Sequence, residues 1–238
     1  MSQMDFNNNF FNEDIPPIVN SSEPHMACLF LLDTSGSMGF KATDGVVPID
    51  ALNDAMNRFK AQVCQDDKTS DILDVAIVEF NNSINVIQDF SPVEYMQQVN
   101  LTARGGTYMA PAIEKAIEMV DERSRFYRRM GTEPYKPWIV MISDGAPLDD
   151  IDNVIMKVND MTQRNKLAFW SLSLDKSINN ILHQLSGPRV VNLIDYNFAG
   201  FFDWVNKSMR AVSESSPGEK IKLPKETEGM ELDISNLG

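Results

Sequence analysis

The amino-acid sequence predicts a doubly wound α/β domain. Its central sheet is mostly parallel, with six strands and one antiparallel hairpin strand, and helices cover both faces. Three observations point there. Short apolar runs alternate with stretches of helical periodicity along most of the 238 residues. Several of those runs are apolar throughout, as strands buried on both faces of a parallel sheet are. One adjacent pair is separated only by Asn81-Asn82, too short a link for anything but an antiparallel pair. Right-handed crossovers then force the doubly wound form.

Residues 1–25 are rich in Asn and Phe and interrupted by Pro16, Pro17 and Pro24, which predicts an irregular arm. Residues 26–32 form an unbroken apolar run, the first strand, and end on the glycine-broken loop Asp33-Thr34-Ser35-Gly36-Ser37-Met38-Gly39. A helix reads over 48–63: Ile49, Leu52, Met56, Phe59 and Val63 recur at spacings of three and four, and Pro48 occupies the first turn. Residues 72–80 and 83–90 are the hairpin strands. The loop carrying Gly105-Gly106-Thr107 leads into a helix over 110–129, with Ile113, Ile117 and Val120 on one face. Its end holds Arg123, Arg125, Arg128 and Arg129, where the helix dipole favours cations, and reads as an ordinary solvated helix end. Residues 138–143 are a buried strand ending at Asp144-Gly145. Asp149 or Asp150 is placed to cap the helix that runs to 163. A fifth strand (166–174), a short helix (178–185), a sixth strand (190–194) and a last helix (201–212) follow. From 213 the chain is polar, with Pro217 and Pro224. The expected organisation is an arm at 1–25, one domain at 26–212 and a polar tail at 213–238.

Length and composition suit a single domain with a full core: 43% of residues are hydrophobic. Acids outnumber bases 34 to 21, giving a net charge of −13, which disfavours nucleic acid and suits a metal ion or a basic surface. Cys28 and Cys64 are too few for a disulfide framework or a cysteine-built zinc site and read as free thiols of a reducing compartment. The first 25 residues contain no Lys or Arg and no signal-peptide stretch. No run approaches the ~18 apolar residues of a membrane helix. The expectation is a cytoplasmic protein with no membrane partner.

Three loops carry the chemistry. The first offers Asp33, Ser35 and Ser37, the second Thr107, the third Asp144. All are oxygen donors at strand ends or helix starts, where doubly wound sheets place their ligand sites. Two carboxylates and three hydroxyls suit a hard divalent cation, Mg²⁺, Mn²⁺ or Ca²⁺.

Asp33-Thr34-Ser35-Gly36-Ser37 resembles the DxSxS element of von Willebrand factor A (vWA) and integrin-type inserted domains. Thr107 and Ser143-Asp144-Gly145 match the other two elements of their metal-ion-dependent adhesion site. The resemblance covers about residues 26–212. It implies the doubly wound, Rossmann-like vWA fold. It also implies a metal held by Asp33, Ser35, Ser37, Thr107 and Asp144, and a coordination position completed by an Asp or Glu of a protein partner. Ala103-Arg104-Gly105-Gly106-Thr107, Ser143-Asp144-Gly145-Ala146-Pro147 and Phe201-Phe202-Asp203-Trp204-Val205 are similar to bacterial TerY-like proteins, linked to tellurium resistance. That similarity implies a kinase or a phosphatase as partner.

Other residues carry blander expectations. Phe40 and Tyr108 flank the metal loops, as an apolar rim for a partner or as ordinary loop aromatics. His25 and His183 lie far from every motif and read as structural or surface residues. The competing functional classes are a metal-assisted phosphatase or other hydrolase and a secreted adhesin of the same fold. A haloacid-dehalogenase nucleophile would want an acid where Ser35 stands. No GxxxxGK[ST] or GxSxG is present, and no histidine adjoins a loop motif. A binding module, not an enzyme, is the expectation.

Overall fold

The computed structural model describes residues 23–42, 45–224 and 230–232. Most of the N-terminal arm and part of the tail therefore lie outside the described residues. The strands are β1 (Met26–Asp33), β2 (Leu73–Phe80), β3 (Ile84–Pro92), β4 (Trp138–Ser143), β5 (Ala168–Ser173), β6 (Val190–Leu193) and β7 (Met230–Leu232). The helices are α1 (Pro48–Val63), α2 (Asp67–Ile72), α3 (Met109–Arg129), α4 (Asp152–Gln163), α5 (Asn179–Ser186) and α6 (Phe198–Ser213).

One sheet runs β3-β2-β1-β4-β5-β6-β7. Its interior pairs are parallel, and its two outer pairs, β2/β3 and β6/β7, are antiparallel. Strand order reverses between β1 and β4, so a crevice opens beyond their carboxyl ends. Asp33 is the last residue of β1, and Ser143 the last of β4.

Alternation along each strand feeds two cores. Phe30, Val75, Val140, Trp170 and Leu172 meet Phe59 of α1 and Phe201, Phe202 and Trp204 of α6 on one face. Leu29, Leu31, Val78, Met141 and Phe169 meet Ile113, Ile117 and Val120 of α3, Val158 of α4 and Leu182 of α5 on the other. Every residue of β1, β2, β4 and β5 is buried, as their apolar runs predict.

The structure corrects the expected organisation in three places. Among the described residues the sheet has seven strands, not six, because Met230–Leu232 pairs with β6. The domain thus continues beyond 212 into the expected tail. Tyr135 donates to the Ser215 carbonyl (2.7 Å) and Trp204 Nε1 to that of Pro224 (3.2 Å), while Ile221 and Leu223 pack against the core. A three-residue strand is too short to show a period, and Gly229 and Asp233 flank it. Helix α2 is also new. It has six residues and starts on an Asp66 carboxylate that accepts the Thr69 N–H (3.0 Å).

The third correction concerns Arg123, which is buried instead of lying on a solvated helix end. Its Nη2 lies 2.7 Å and its Nε 3.1 Å from Asp74 Oδ2, at the amino end of β2. Tyr127 donates to the same oxygen, and the buried His25 ring stacks on Tyr127 at 5.4 Å. His25 is therefore structural. Cys28 and Cys64 are free thiols, and burial pushes the Cys28 thiol up.

Candidate metal centre

The buried strand β1 delivers Asp33 fully enclosed at the crevice, and each carboxylate oxygen has its own donor. Oδ1 accepts the Ser35 N–H (2.8 Å), and Oδ2 accepts the Ser143 hydroxyl (2.6 Å). The chain then makes a single 3₁₀ turn, Gly36–Gly39, pinned from below by the buried Met38. That turn sets the Ser35 and Ser37 hydroxyls 3.0 Å apart. Ser37 also donates to Asp144 Oδ1 (2.8 Å), joining the first loop to the third.

The second loop is tied to the first by backbone. The Gly36 N–H donates to the Gly105 carbonyl (2.9 Å), and the Arg104 N–H to that of Thr34 (2.7 Å). Gly105 has φ +74°, and a β-carbon there would come within 3.0 Å of Asn82, so the loop needs a glycine. Thr107 is buried with its hydroxyl facing the third loop: a β-carbon on Gly145 would lie 3.4 Å from Thr107 Oγ1 and 4.0 Å from Ser37 Oγ. The Leu148 N–H donates to the Thr107 carbonyl (2.9 Å) and closes the ring of loops.

All five expected residues therefore converge. Asp33, Ser35 and Thr107 are buried, and Ser37 and Asp144 are half-buried at the mouth. Burial pushes the Asp33 carboxyl up to about 6, against the hydrogen bonds from Ser143 and Ser35, and the charge of Asp144 adds to the push. Burial raises Asp144 as well, opposed by the Ser37 hydroxyl and assisted by Asp175. Among the described residues neither carboxylate takes part in an ion pair. Nor do three His, Cys, Asp or Glu side chains gather anywhere among them. The donors here are two carboxylates and three hydroxyls, all hard oxygens. They fit a divalent cation of the Mg²⁺ class and do not fit a thiol- or imidazole-seeking metal.

Several supporting residues escaped the sequence reading. Asn81 donates to the Thr34 hydroxyl (2.9 Å), and Asn82 Oδ1 accepts the Gly106 N–H (2.6 Å). The pair is thus a brace for the first and second loops as well as a tight turn; a polar turn facing glycine loops was the available signal. Asp149 caps a different helix from the one expected. Its carboxylate accepts the N–H groups of Met109 (2.9 Å) and Ala110 (2.8 Å), the start of α3, whereas Asp150 accepts that of Asp152 (3.0 Å) at α4. Phe40, Tyr108 and Leu148 stand exposed around the mouth.

A family model described as von Willebrand factor type A domain matches residues 28–146, half of the chain. No curated protein sequence matches it. Among solved structures, the von Willebrand domain of a type V pilus tip protein from Porphyromonas gingivalis is 11% identical, with a TM-score of 0.58 over 83% of this chain and 98% of that one. A von Willebrand factor type A protein from Catenulispora acidiphila is 16% identical, TM-score 0.58, over 79% of this chain and 43% of that one. A proximal thread matrix protein from the mussel byssus is 11% identical, TM-score 0.55, over 78% of this chain; the chain spans only 47% of that protein's length. These likenesses are of fold. Together with the family match and the seven-stranded doubly wound sheet, they settle the family: the chain belongs to the von Willebrand factor type A domain family.

Proposed function

We propose that Asp33, Ser35, Ser37, Thr107 and Asp144 hold one divalent cation, Mg²⁺ in the first instance and Mn²⁺ or Ca²⁺ by the same oxygen chemistry. In this reading the protein is a metal-dependent binding module for another protein. The observation that carries the proposal is the convergence of a buried and a half-buried carboxylate with three hydroxyls and, among the described residues, no ion pair to either carboxylate. Burying such charge without a partner is costly, and a cation relieves it. A bound cation would supply an electrophilic centre for an Asp or Glu of the partner.

The chain's own residues do the rest. Asp33 and Asp144 balance charge, the hydroxyls of Ser35, Ser37 and Thr107 stay neutral, and the exposed Phe40, Tyr108 and Leu148 offer apolar contact beside the mouth. Among the described residues no histidine is bonded into the three loops, which favours a binding role over hydrolysis in this reading. vWA domains commonly mediate protein–protein interaction. On the strength of the TerY-like segments we propose a cytoplasmic setting with a kinase or phosphatase as the partner. The pilus-tip likeness supplies the rival, an extracellular adhesin. Among the described residues no helix is long and apolar enough to cross a membrane.

The test is a Mn²⁺ titration of wild type and Asp144→Ala by calorimetry, followed by partner capture from cytosol in Mg²⁺ and in chelator. One saturable site lost in Asp144→Ala, with capture that needs the cation, supports the reading. A wild type without a saturable site overturns it.

A further inference from the structure

The loop that carries Thr107 is reached by an unusual route. Strand β3 runs antiparallel to β2 and ends at Pro92 opposite Asp74, at the far end of the sheet from the metal loops. After a single 3₁₀ turn, Val93–Tyr95, the chain must climb the full height of the domain to reach Thr107, and it does so with no sheet partner. The climbing segment is extended: Val99 and Leu101 are buried, while Gln98, Asn100 and Thr102 are exposed.

Its backbone partners are side chains of α1. Asn53 Nδ2 donates to the Leu101 carbonyl (2.9 Å), and Asn53 Oδ1 accepts the Leu101 N–H (2.7 Å). One turn further along, Asn57 repeats the pattern on Val99 with the same two distances, 2.9 and 2.7 Å. Lys60 Nζ donates to the Met96 carbonyl (2.9 Å). An asparagine side chain presents one donor and one acceptor side by side, as a strand edge does. Two of them at i and i+4 lie on one helix face. They read alternate residues of an extended chain, whose inward positions also alternate.

We infer that Asn53 and Asn57 are positioning residues for the metal centre: they set the register at which the 96–107 segment presents Thr107 to Ser37 and Asp144. The inference rests on the metal reading above. Burial of Val99 and Leu101 alone fixes which face of the segment points inward, but hydrophobic packing tolerates sliding that directional, two-point bonds do not. A slip by two residues would keep the same face inward and carry Thr107 away from its partners. From Leu101 the chain runs directly into Arg104, whose N–H is bound to Thr34, and Gly105, whose carbonyl accepts from Gly36. The clamp on α1 and the backbone ties to the first loop are therefore the two ends of one short tether.

The experiment measures Mn²⁺ affinity and residue-level hydrogen exchange on the full chain for wild type, Asn53→Ala, Asn57→Ala and the double variant. Asn57→Asp keeps shape and acceptor but removes the donor. Val158→Ala, in the opposite core, is the control for general destabilisation. The expected result is about threefold weaker Mn²⁺ binding in each single variant and tenfold or more in the double. Exchange should quicken through 99–107, and Val158→Ala should leave affinity unchanged. A folded double variant with wild-type affinity overturns the inference. If the double variant does not fold, Asn57→Asp decides by the same criterion. If wild type itself binds no Mn²⁺, the metal reading fails and exchange alone decides. Faster exchange at 105–108 in Asn57→Asp then sustains the positioning role, and unchanged exchange there overturns it.

Discussion

The two ends of the sheet treat buried carboxylates in opposite ways. At the amino end of β2, Asp74 is 1% exposed and meets Arg123, Tyr127 and the adjacent His25. At the carboxyl end of β1, Asp33 is 0% exposed and among the described residues meets hydroxyl and N–H donors alone, with a second carboxylate, Asp144, across the loop. The first end has supplied its own cation. The second gathers two carboxylates, and among the described residues neither takes part in an ion pair. Burial alone does not separate structure from function here; compensation does.

The largest effect should come from breaking the compensated end. Arg123→Ala leaves Asp74 buried without its cation and should cost about 3–5 kcal/mol of unfolding free energy. Pairing it with Asp74→Asn should recover a substantial part. Denaturant titration of both variants measures this, and a loss under about 1 kcal/mol would mean that Asp74 is stabilised by other groups.

At the uncompensated end the effects should reverse. Asp144→Ala removes one of two like charges and should leave the metal-free fold as stable as wild type or slightly more so. It should weaken Mn²⁺ binding at least about 100-fold, roughly 2.7 kcal/mol. Calorimetry and thermal melts in chelator separate the two readouts. Equal affinity in variant and wild type would remove Asp144 from the site.

The Asp33 carboxyl sharpens the comparison through pH. Burial raises it to about 6, above its ordinary 3.8, so the folded state holds the proton more tightly than the unfolded one. That contribution to stability is fully present below pH 3.8 and is lost as pH rises through about 6. In chelator, the stability of wild type relative to Asp33→Asn should therefore fall between pH 4 and 7, by on the order of 2 kcal/mol. Divalent cation should restore it. A difference that is flat with pH would show that Asp33 ionises freely in the fold.

How much of this was legible in the sequence depends on range. The strands β1 and β4 are apolar up to their last residues, Asp33 and Ser143, and α1 has spacings that only a helix satisfies, so these elements and the loops after them could be placed from residues alone. The five oxygen donors sit in motifs whose order along the chain is itself the signal. Pairings set by the folded sheet were not legible. Arg123 sits among four arginines at a helix end, and nothing local distinguishes the one that finds Asp74, 49 residues away. Strand β7 owes its existence to the free edge of β6, not to its own three residues. The asparagines of α1 occupy polar positions on an amphipathic helix and read as solvent-facing until the climbing segment is laid against them.

Asp149 provides the finest cut through the comparison, because it is an acid at the Asp33 end that behaves like Asp74. It lies close enough to Thr107 in space to be mistaken for a sixth donor: its neighbour Leu148 is hydrogen-bonded to the Thr107 carbonyl. Yet its two oxygens are engaged separately by the Met109 and Ala110 N–H groups, at 2.9 and 2.8 Å, and the amino end of α3 supplies partial positive charge. A carboxylate so satisfied has little to gain from a cation. Asp149→Ala should therefore act as the loss of a helix cap, costing about 1–2 kcal/mol of stability. Mn²⁺ affinity should change by less than about threefold, under ~0.7 kcal/mol. Asp149→Asn, which keeps an acceptor, should lie between the two in stability. Should Asp149→Ala instead weaken metal binding as much as Asp144→Ala while leaving the melting temperature unchanged, Asp149 would belong with Asp33 and Asp144. Compensation by a helix end would then be too weak to withhold an acid from the metal.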